Sequence, residues 1–322
     1  MKVVITSKLP NIINNYLEDI RVDANSIDEP LPPIRLRQMM SDTDSLICTS
    51  SDIVDRPLME AAPKLKVIAN FDAGSDNIDV DYATHRGITV CTTKHVLTQS
   101  TAEYGFALLM SAARHIPEAD KYARNGRFSG NTNHSLMTGL DFYKKTLGIF
   151  GMGNIGQAVA KIATGFSMDI IYHNRHRDKQ AELIFGATYA TFDELLEWSD
   201  FLIITAPLTL ETRHIFSLKE FKKMKKTAVL VNIGRGPIIR ESDLATALSE
   251  KIIYAAGLDV YEFEPEINED LKKLDNVVLS LHLGSSTQAT KENMAVSCAE
   301  SVISVLKGGI TPDTAINKPV II

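Results

Sequence analysis

Cysteine is scarce in this sequence, and the few that occur do not form a recognisable motif. The three cysteines, Cys48, Cys91 and Cys298, are odd in number and far apart in the chain. This spacing fits neither a zinc motif nor a framework of paired disulfides. We therefore expect reduced structural thiols, as is usual in cytoplasmic proteins, and no metal site.

Long apolar runs and an excess of positive charge are also missing. No apolar stretch approaches the roughly 20 residues that a transmembrane helix needs. The N-terminal MKVVIT enters a predicted strand without the apolar core or cleavage site of a signal peptide. A net charge of −6 argues against a general nucleic-acid-binding protein. These absences predict a cytoplasmic protein that binds neither membranes nor nucleic acid.

Strand and helix patterns alternate along the chain. At 322 residues the length favours two domains, and 44% hydrophobic with 23% charged residues is ordinary for a globular protein. A long helix is predicted over residues 100–125 and a last one over 287–306. Buried strands are predicted at 3–6, 45–49, 65–70, 88–92, 147–150, 168–172, 201–205, 228–233, 255–260 and 277–282. This order is typical of α/β folds with parallel sheets.

A glycine fingerprint follows one of these strands. The apolar run Leu147–Phe150 leads directly into Gly151-x-Gly153-x-x-Gly156, and a helical pattern begins at once after it. In such a motif the first glycine allows the tight turn, the second lets the backbone approach a pyrophosphate, and the third lets the helix pack on the strand. The helix N-terminus would face the phosphates. A strand directly before the motif and a helix directly after it favour dinucleotide binding over a simple glycine-rich turn.

The end of the next strand indicates which dinucleotide is bound. NAD-binding units usually place an acid about 20 residues beyond the glycines, where it binds the ribose hydroxyls. Here Asn174 takes that place, with Arg175 and Arg177 beside it. A guanidinium can bind a 2′-phosphate through paired hydrogen bonds, whereas a carboxylate would repel it. We expect NADP(H) as the preferred cofactor, with NAD(H) as an alternative. A solvated basic turn is the competing interpretation, above all for Arg177.

Three polar side chains fall just beyond other predicted strands. Arg235 follows the strand at 228–233, Glu264 follows that at 255–260, and His282 ends that at 277–282. Each alone fits a structural role. Because open α/β sheets bind ligands at the carboxyl ends of their strands, the three together indicate a catalytic site.

Many spaced segments, in the same order, resemble the D-isomer-specific 2-hydroxyacid dehydrogenases over essentially the whole chain. The resemblance is greatest to the glyoxylate/hydroxypyruvate reductase branch, in which asparagine and arginine after the second strand accompany NADPH. That branch often has Ser or Thr after the arginine, where this chain has His176. The matching segments are Asn70–Asp79, Thr101–Glu103, Gly151–Gly156, Ala206–Thr212, Asn232–Gly236, Ala256–Glu262 and His282–Ser285.

The resemblance implies a role for each catalytic residue. Arg235 would bind the substrate carboxylate and polarise the keto oxygen, and His282 would protonate that oxygen as a general acid. Glu264 would hydrogen-bond the other imidazole nitrogen and stabilise the imidazolium. Backbone N–H groups of the loop at Ala73 and Gly74 would bind the carboxylate of the substrate.

The resemblance also implies the fold and the cofactor contacts. A Rossmann dinucleotide-binding domain, residues 100–287, would be inserted into a flavodoxin-like substrate domain formed by residues 1–99 and 288–322. Both domains would be doubly wound parallel sheets, and the protein would be a homodimer. The cofactor contacts would be Thr101, Gly151, Gly153, Asn154, Ile155, Gly156, Asn174, Arg175, Pro207, Thr212, Ile233 and Asp259.

These expectations converge on an NADPH-preferring reductase of small 2-oxo acids. Glyoxylate and hydroxypyruvate are the leading substrates, and a 2-keto sugar acid such as 2-ketogluconate is the nearest alternative. Oxidation of D-lactate, phosphoglycerate, phosphite or formate fits less well. An alternative from another class is a dinucleotide-sensing interaction protein, like the transcriptional corepressors that share this fold. Arg235, Glu264 and His282 together favour an enzyme, because a sensor needs only the cofactor half. Corepressors can also retain such residues, so the deciding test is kinetic.

Overall fold

The structure, a computed structural model, describes residues 1–27, 29–128 and 137–318. The chain divides into two compact units: unit 1 is Met1–Leu97 with Ser286–Ile322, and unit 2 is Thr98–Ser285. The domain boundaries expected from the sequence, 99/100 and 287/288, each lie two residues further along the chain. The end of the expected substrate domain, residues 319–322, lies outside the described residues.

Unit 1 is built on a parallel five-stranded sheet with the order β2-β1-β3-β4-β5. This is the strand order of flavodoxin-like folds. Its inner strands are completely buried, as expected for a sheet covered by helices on both faces. The elements are β1 Lys2–Ile5, α1 Ile13–Tyr16, β2 Arg21–Ala24, α2 Pro33–Met40, β3 Ser45–Cys48, α3 Arg56–Glu60, β4 Val67–Asn70, α4 Val80–His85 and β5 Thr89–Thr92.

Unit 2 contains a parallel seven-stranded sheet with the order β12-β11-β10-β9-β6-β7-β8. The strand order reverses between β6 and β9, which is where open α/β sheets bind ligands. The elements are α5 Thr98–Ala113, α6 Ile116–Arg124, β6 Thr146–Phe150, α7 Asn154–Thr164, β7 Asp169–His173, α8 Lys179–Phe185, β8 Thr188–Tyr189, α9 Phe192–Trp198, β9 Phe201–Ile204, α10 Leu218–Phe221, β10 Val229–Asn232, α11 Glu241–Ser249, β11 Ala255–Leu258 and β12 Val277–Leu279.

The last helix, α12 (Gln288–Leu306), belongs to unit 1 and is capped by Thr287, whose side chain accepts a hydrogen bond from the Thr290 N–H. Its buried stripe includes Ala295, Ala299 and Val302, spaced three and four residues apart, and packs on the unit 1 sheet. The cysteines of the chain are free and buried.

The single long helix predicted over residues 100–125 is wrong. The chain forms two helices, α5 and α6, separated at His115, which adopts the left-handed conformation with φ 53°. Pro117, in the first turn of α6, lacks the N–H that a continuous helix would need. An apolar pattern can continue across such a break, because periodicity does not detect a change of helix direction.

The predicted strand at 277–282 is too long at its carboxyl end. β12 ends at Leu279, and His282 lies in a following loop with φ 56°. The sequence pattern also contains no clear signal for β2, an edge strand whose residues are exposed or half-buried. Edge strands lack the continuous apolar run of inner parallel strands.

None of the helices in the described ranges is long and apolar enough to span a membrane. In the same ranges, no group of three or more His, Cys, Asp or Glu side chains is arranged to hold a metal ion.

Candidate active site

The glycine fingerprint forms the turn between β6 and α7. Gly151 has φ 106°, and a Cβ on it would lie 2.7 Å from the backbone nitrogen of Ala206. Gly156 packs against the carbonyl of Gly151, where a Cβ would overlap that oxygen. A Cβ on Gly153, by contrast, would meet no atom within 4 Å. The turn therefore requires two of its glycines for packing and leaves open space above the third.

Asn174 is held against this turn. Its Oδ1 accepts a hydrogen bond of 2.7 Å from the backbone N–H of Met152. Because the Met152 N–H needs an oxygen acceptor, the orientation of the Asn174 side-chain amide is fixed. Its Nδ2 therefore points away from Met152 and can donate to another acceptor. An aspartate could accept the same hydrogen bond, but it could not donate to a phosphate.

The two neighbouring arginines have different surroundings. Arg177 forms a bidentate ion pair with Glu182, with Nε–Oε1 and Nη2–Oε2 distances of 2.6 and 2.9 Å. Within the described residues, Arg175 makes no ion pair within 4 Å. Hydrogen bonds from the Thr209 hydroxyl and its own backbone N–H, with a smaller contribution from Arg175, lower the pKa of Glu211 below its ordinary value. The Arg177 guanidinium is thus engaged by Glu182, whereas the charge of Arg175 lies near enough to Glu211 to help lower its pKa.

That loop follows β9 and includes the two other predicted contacts on this side, Pro207 and Thr212. The Thr212 hydroxyl donates to the Pro207 carbonyl at 2.8 Å and accepts from the Thr209 N–H at 2.7 Å. Thr205 Oγ1 donates to the Gly151 carbonyl, at 2.5 Å. The loop is therefore closed on itself and joined to the fingerprint turn.

Arg235 lies in the loop after β10, where its side chain is half-buried. The side chain of Asn232 shapes this loop: its Nδ2 donates to the Arg235 carbonyl and its Oδ1 accepts from the Gly234 N–H, both at 3.0 Å. Ile233, a predicted contact of the nicotinamide ring, is only 5% exposed, and its side chain packs against Gly105 of α5.

Asp259 organises the loop that contains His282. Its carboxylate, which is buried, accepts hydrogen bonds from the N–H groups of Leu283 (2.7 Å) and Gly284 (2.9 Å), and its carbonyl accepts from the His282 N–H. Gly284 packs between Asp259 and Thr101 of α5, both of which would lie within about 3.2 Å of an added Cβ. Two predicted cofactor contacts, Thr101 and Asp259, are thus brought together beside His282.

The expected hydrogen bond between His282 and Glu264 is present. His282 Nδ1 lies 2.9 Å from Glu264 Oε2, and the two side chains are 34% and 37% exposed. Burial raises the pKa of Glu264, but the hydrogen bond from His282, the Tyr261 N–H and the charge of Arg235 outweigh it, so the pKa is below its ordinary value. Glu264 is therefore ionised at neutral pH and can stabilise a protonated imidazole.

In unit 1 the predicted carboxylate-binding loop follows β4. The Ala73 N–H donates to Asp72 Oδ1 at 2.6 Å, so it is already engaged within the loop. The Gly74 carbonyl is fixed by the Asn70 amide at 2.8 Å, and a second hydrogen bond joins that amide to Asn77. Of the two predicted positions, Gly74 has the backbone N–H better suited to an anion.

Sequence reasoning missed four residues around Glu264. Tyr261, Glu262, Glu241 and His214 form a hydrogen-bonded cluster with the loop that contains Glu264. Tyr261 and Glu262 belong to a segment that matches the family, so their presence could have been noticed. The sequence carried no signal for His214 or Glu241, because they come from other loops and are paired only by the fold.

The residues present fit a dinucleotide. The open space above Gly153 would accommodate a pyrophosphate close to the backbone, which a larger residue would prevent. Gly153, Asn154 and Ile155 lie at the first turn of α7, whose N–H groups and dipole favour an anion. Beyond β10, β11 and β12 lie Arg235, Glu264 and His282. The Arg235 guanidinium can bind a carboxylic acid, and the His282 imidazole, paired with Glu264, can supply a proton.

Comparison with known proteins gives a consistent result. The family model described as "D-isomer specific 2-hydroxyacid dehydrogenase, NAD binding domain" matches residues 106–284. The chain is similar to the glyoxylate reductase of Pyrococcus furiosus, with 44% identity over 99% of this chain and 96% of the relative.

Two solved structures illustrate the structural similarity. The TT0316 protein from Thermus thermophilus has a TM-score of 0.91 and 34% identity, with 98% of this chain and 100% of that chain covered. The NADPH-dependent glyoxylate/hydroxypyruvate reductase from Sinorhizobium meliloti, in complex with NADP and malonate, has a TM-score of 0.85 and 29% identity, with 98% and 96% covered.

Proposed function

Because the chain belongs to the D-isomer-specific 2-hydroxyacid dehydrogenase family, we propose that it is an NADPH-preferring reductase of glyoxylate and hydroxypyruvate. Membership makes it an oxidoreductase with an NAD(P)-binding domain. The hydrogen-bonded His282–Glu264 pair is the observation that carries the proposal, because a protein that only senses a dinucleotide does not need an activated proton donor. The similarity to named glyoxylate reductases supports the substrate class.

The proposed chemistry assigns one task to each side chain. Bound NADPH would supply a hydride to the carbonyl carbon of the 2-oxo acid. Arg235 would bind the carboxylate of the acid and polarise its carbonyl oxygen. His282 would donate a proton to that oxygen from Nε2, while Glu264 holds Nδ1 and stabilises the positive charge beforehand. The loop at Ala73 and Gly74 would add backbone donors for the substrate carboxylate, with Gly74 the principal one.

The preference for NADPH rests on the end of β7. Asn174 would donate an amide hydrogen to the 2′-phosphate and Arg175 would supply the charge, because Arg177 is occupied by Glu182. His176, which is exposed between the two arginines, would be a further donor. Ile233 and Asp259 stay proposed contacts of the nicotinamide half, Pro207 and Thr212 of the adenosine half, and Thr101 a proposed contact of the cofactor. The homodimer and the cytoplasmic location expected from the resemblance stay predictions.

The experiment that tests this proposal is a matrix of substrates and cofactors. Purified protein is assayed with glyoxylate, hydroxypyruvate, 2-ketogluconate and pyruvate, each with NADPH and with NADH. We expect the highest kcat/KM for glyoxylate or hydroxypyruvate with NADPH. A higher value for 2-ketogluconate would reassign the substrate, and a higher value with NADH would refute the cofactor preference. No oxidation of either cofactor with any of the acids would refute the enzymatic function.

A further inference from the structure

A second hydrogen-bonded pair of histidine and glutamate, His214 and Glu262, involves the loop that contains Glu264. His214 Nε2 is 2.6 Å from Glu262 Oε1, and these side chains are 27% and 10% exposed, so this pair is more buried than His282 and Glu264. Glu262 is two residues before Glu264 in the same loop. The proposed reaction assigns no task to His214 or to Glu262.

Glu262 is also interlocked with the start of α11. Its backbone N–H donates to Glu241 Oε1 at 2.5 Å, and its own Oε2 accepts from the Glu241 N–H at 3.0 Å. Glu241 is buried, and burial together with the charges of Glu262 and Glu264 raises its pKa. Both oxygens of Glu262 are therefore used, one by His214 and one by α11.

His214 links this cluster to the loop that contains Arg235. Its backbone N–H donates to the Pro237 carbonyl at 2.8 Å, and the neighbouring Phe216 and Ile238 continue the pairing. His214 has φ 53°, a conformation that non-glycine residues keep only where surrounding contacts hold it. A residue fixed in this way on both its backbone and its ring can set the position of a loop.

Tyr261 carries the connection from Glu262 to the two proposed catalytic side chains. Its N–H donates to Glu264 Oε1 at 2.9 Å, and its hydroxyl donates to the carbonyl of Ser280, two residues before His282, at 2.6 Å. A Cβ on Gly236, the residue after Arg235, would overlap the Tyr261 carbonyl oxygen. The loops of Arg235, Glu264 and His282 therefore meet at the backbone of residues 261 and 262.

We propose that His214 and Glu262 are positioning residues that hold the Glu264 carboxylate against the His282 imidazole. This inference rests on the proposed function, because the His282–Glu264 pair is its target. The charged and titratable groups around Glu264 are His282, Arg235 and Tyr261, with Glu241 and Glu262 on the side of α11. The hydrogen bond from His214 to Glu262 offsets part of the repulsion among the three carboxylates and so fixes the backbone beside Glu264.

Two pairs of variants test the inference. His214→Ala and Glu262→Ala remove the connection, whereas His214→Gln keeps a side-chain N–H that can donate to Glu262, and Glu262→Gln keeps one acceptor oxygen. His115→Ala is the matched control. His115 also has φ 53° and a hydrogen bond of 2.6 Å from its Nε2, to the Tyr254 hydroxyl, but it lies at the start of α6.

The first measurement is the pKa of His282 in the free protein, from histidine NMR signals assigned with His282→Ala. We expect both alanine variants to lower this pKa by roughly half a unit to one unit, because an ordered carboxylate favours the imidazolium. In His214→Gln the pKa of His282 should stay near the native value, and in His115→Ala it should not change. In Glu262→Gln it should lie between the native value and that of the alanine variants. An unchanged pKa in both alanine variants, with only the melting temperature lowered, would refute the positioning role.

The second measurement is the kinetics of 2-oxo acid reduction. A misplaced carboxylate should lower kcat about 10-fold to 100-fold, with little change in NADPH affinity. A similar loss in His115→Ala would also count against the inference. If the native protein shows no reductase activity while the pKa of His282 still falls in the alanine variants, the proposed function fails and the positioning role stands.

Discussion

The two halves of the seven-stranded sheet in unit 2 form their carboxyl ends by different means. At β6 and β7 the ends are organised by the main chain: glycines allow close approach, and Asn174 accepts from a backbone N–H. At β11 and β12 the organisation comes from carboxylates, since Asp259, Glu262 and Glu264 each accept backbone or imidazole hydrogen bonds. The first half is suited to binding an anion, and the second to placing a proton.

This difference explains why the two halves should respond differently to substitution. A carboxylate that holds a loop can be replaced only by a group that accepts the same hydrogen bonds. A glycine that leaves room for a ligand can be replaced without affecting the fold, although binding suffers. Four experiments test this contrast, in order of decreasing expected effect.

The largest effect is expected for His282→Ala. Removal of a general acid should lower kcat by about 10²-fold to 10⁴-fold. NADPH affinity, measured by quenching of protein fluorescence or by calorimetry, should stay nearly constant, because the fingerprint turn is formed by the other half of the sheet. A kcat within tenfold of the native value would remove the assignment of His282 as the acid.

The next largest effect is expected from replacing glycine with alanine after β10 and after β6, where the free energy of unfolding should respond differently. Gly236→Ala would force a Cβ into the Tyr261 carbonyl, so we expect a loss of about 3 kcal/mol or more in the free energy of unfolding. A Cβ at Gly153 would meet no atom within 4 Å, and the only expected cost of Gly153→Ala is a weaker cap for α7, about 1 kcal/mol or less, while NADPH binding weakens. Urea denaturation and cofactor titration of both variants provide the check. Equal destabilisation by the two changes would contradict the contrast.

The sequence predicted the carboxyl ends of β6 and β7 better than those of β11 and β12, for a physical reason. Glycine spacing after an apolar strand encodes backbone geometry directly, so Gly151, Gly153 and Gly156 could be placed from the sequence alone. The ends of β11 and β12 depend on partners that are distant in sequence, such as His214 and Glu262, 48 positions apart. The same limit applies to Arg177, whose ion pair with Glu182 becomes visible only when the loop and α8 are placed.

Arg175→Ala and Arg177→Ala form a matched pair for the cofactor preference. Loss of the charge on Arg175 should raise the KM for NADPH about 10-fold to 100-fold and leave the KM for NADH nearly unchanged, because only NADPH carries the 2′-phosphate. Arg177→Ala should have little effect on either KM, since its guanidinium is paired with Glu182. Steady-state kinetics with both cofactors decide the matter. If Arg177→Ala raised the KM for NADPH, relative to that for NADH, more than Arg175→Ala did, the phosphate contact would be assigned to Arg177.

The smallest expected effect concerns the stability that the Glu264 carboxylate contributes as pH changes. Its pKa is lowered in the folded protein, so ionised Glu264 stabilises the fold above its ordinary pKa of about 4.3, and that contribution is lost as pH falls through the lowered value. Because the side chain is 37% exposed, we expect Glu264→Gln to cost less than about 1 kcal/mol at pH 6. The difference between native and variant urea midpoints should shrink as pH is lowered from 6 to 3. A difference that stays constant over this range would mean that Glu264 acts through hydrogen bonds that the amide cannot form, and not through its charge.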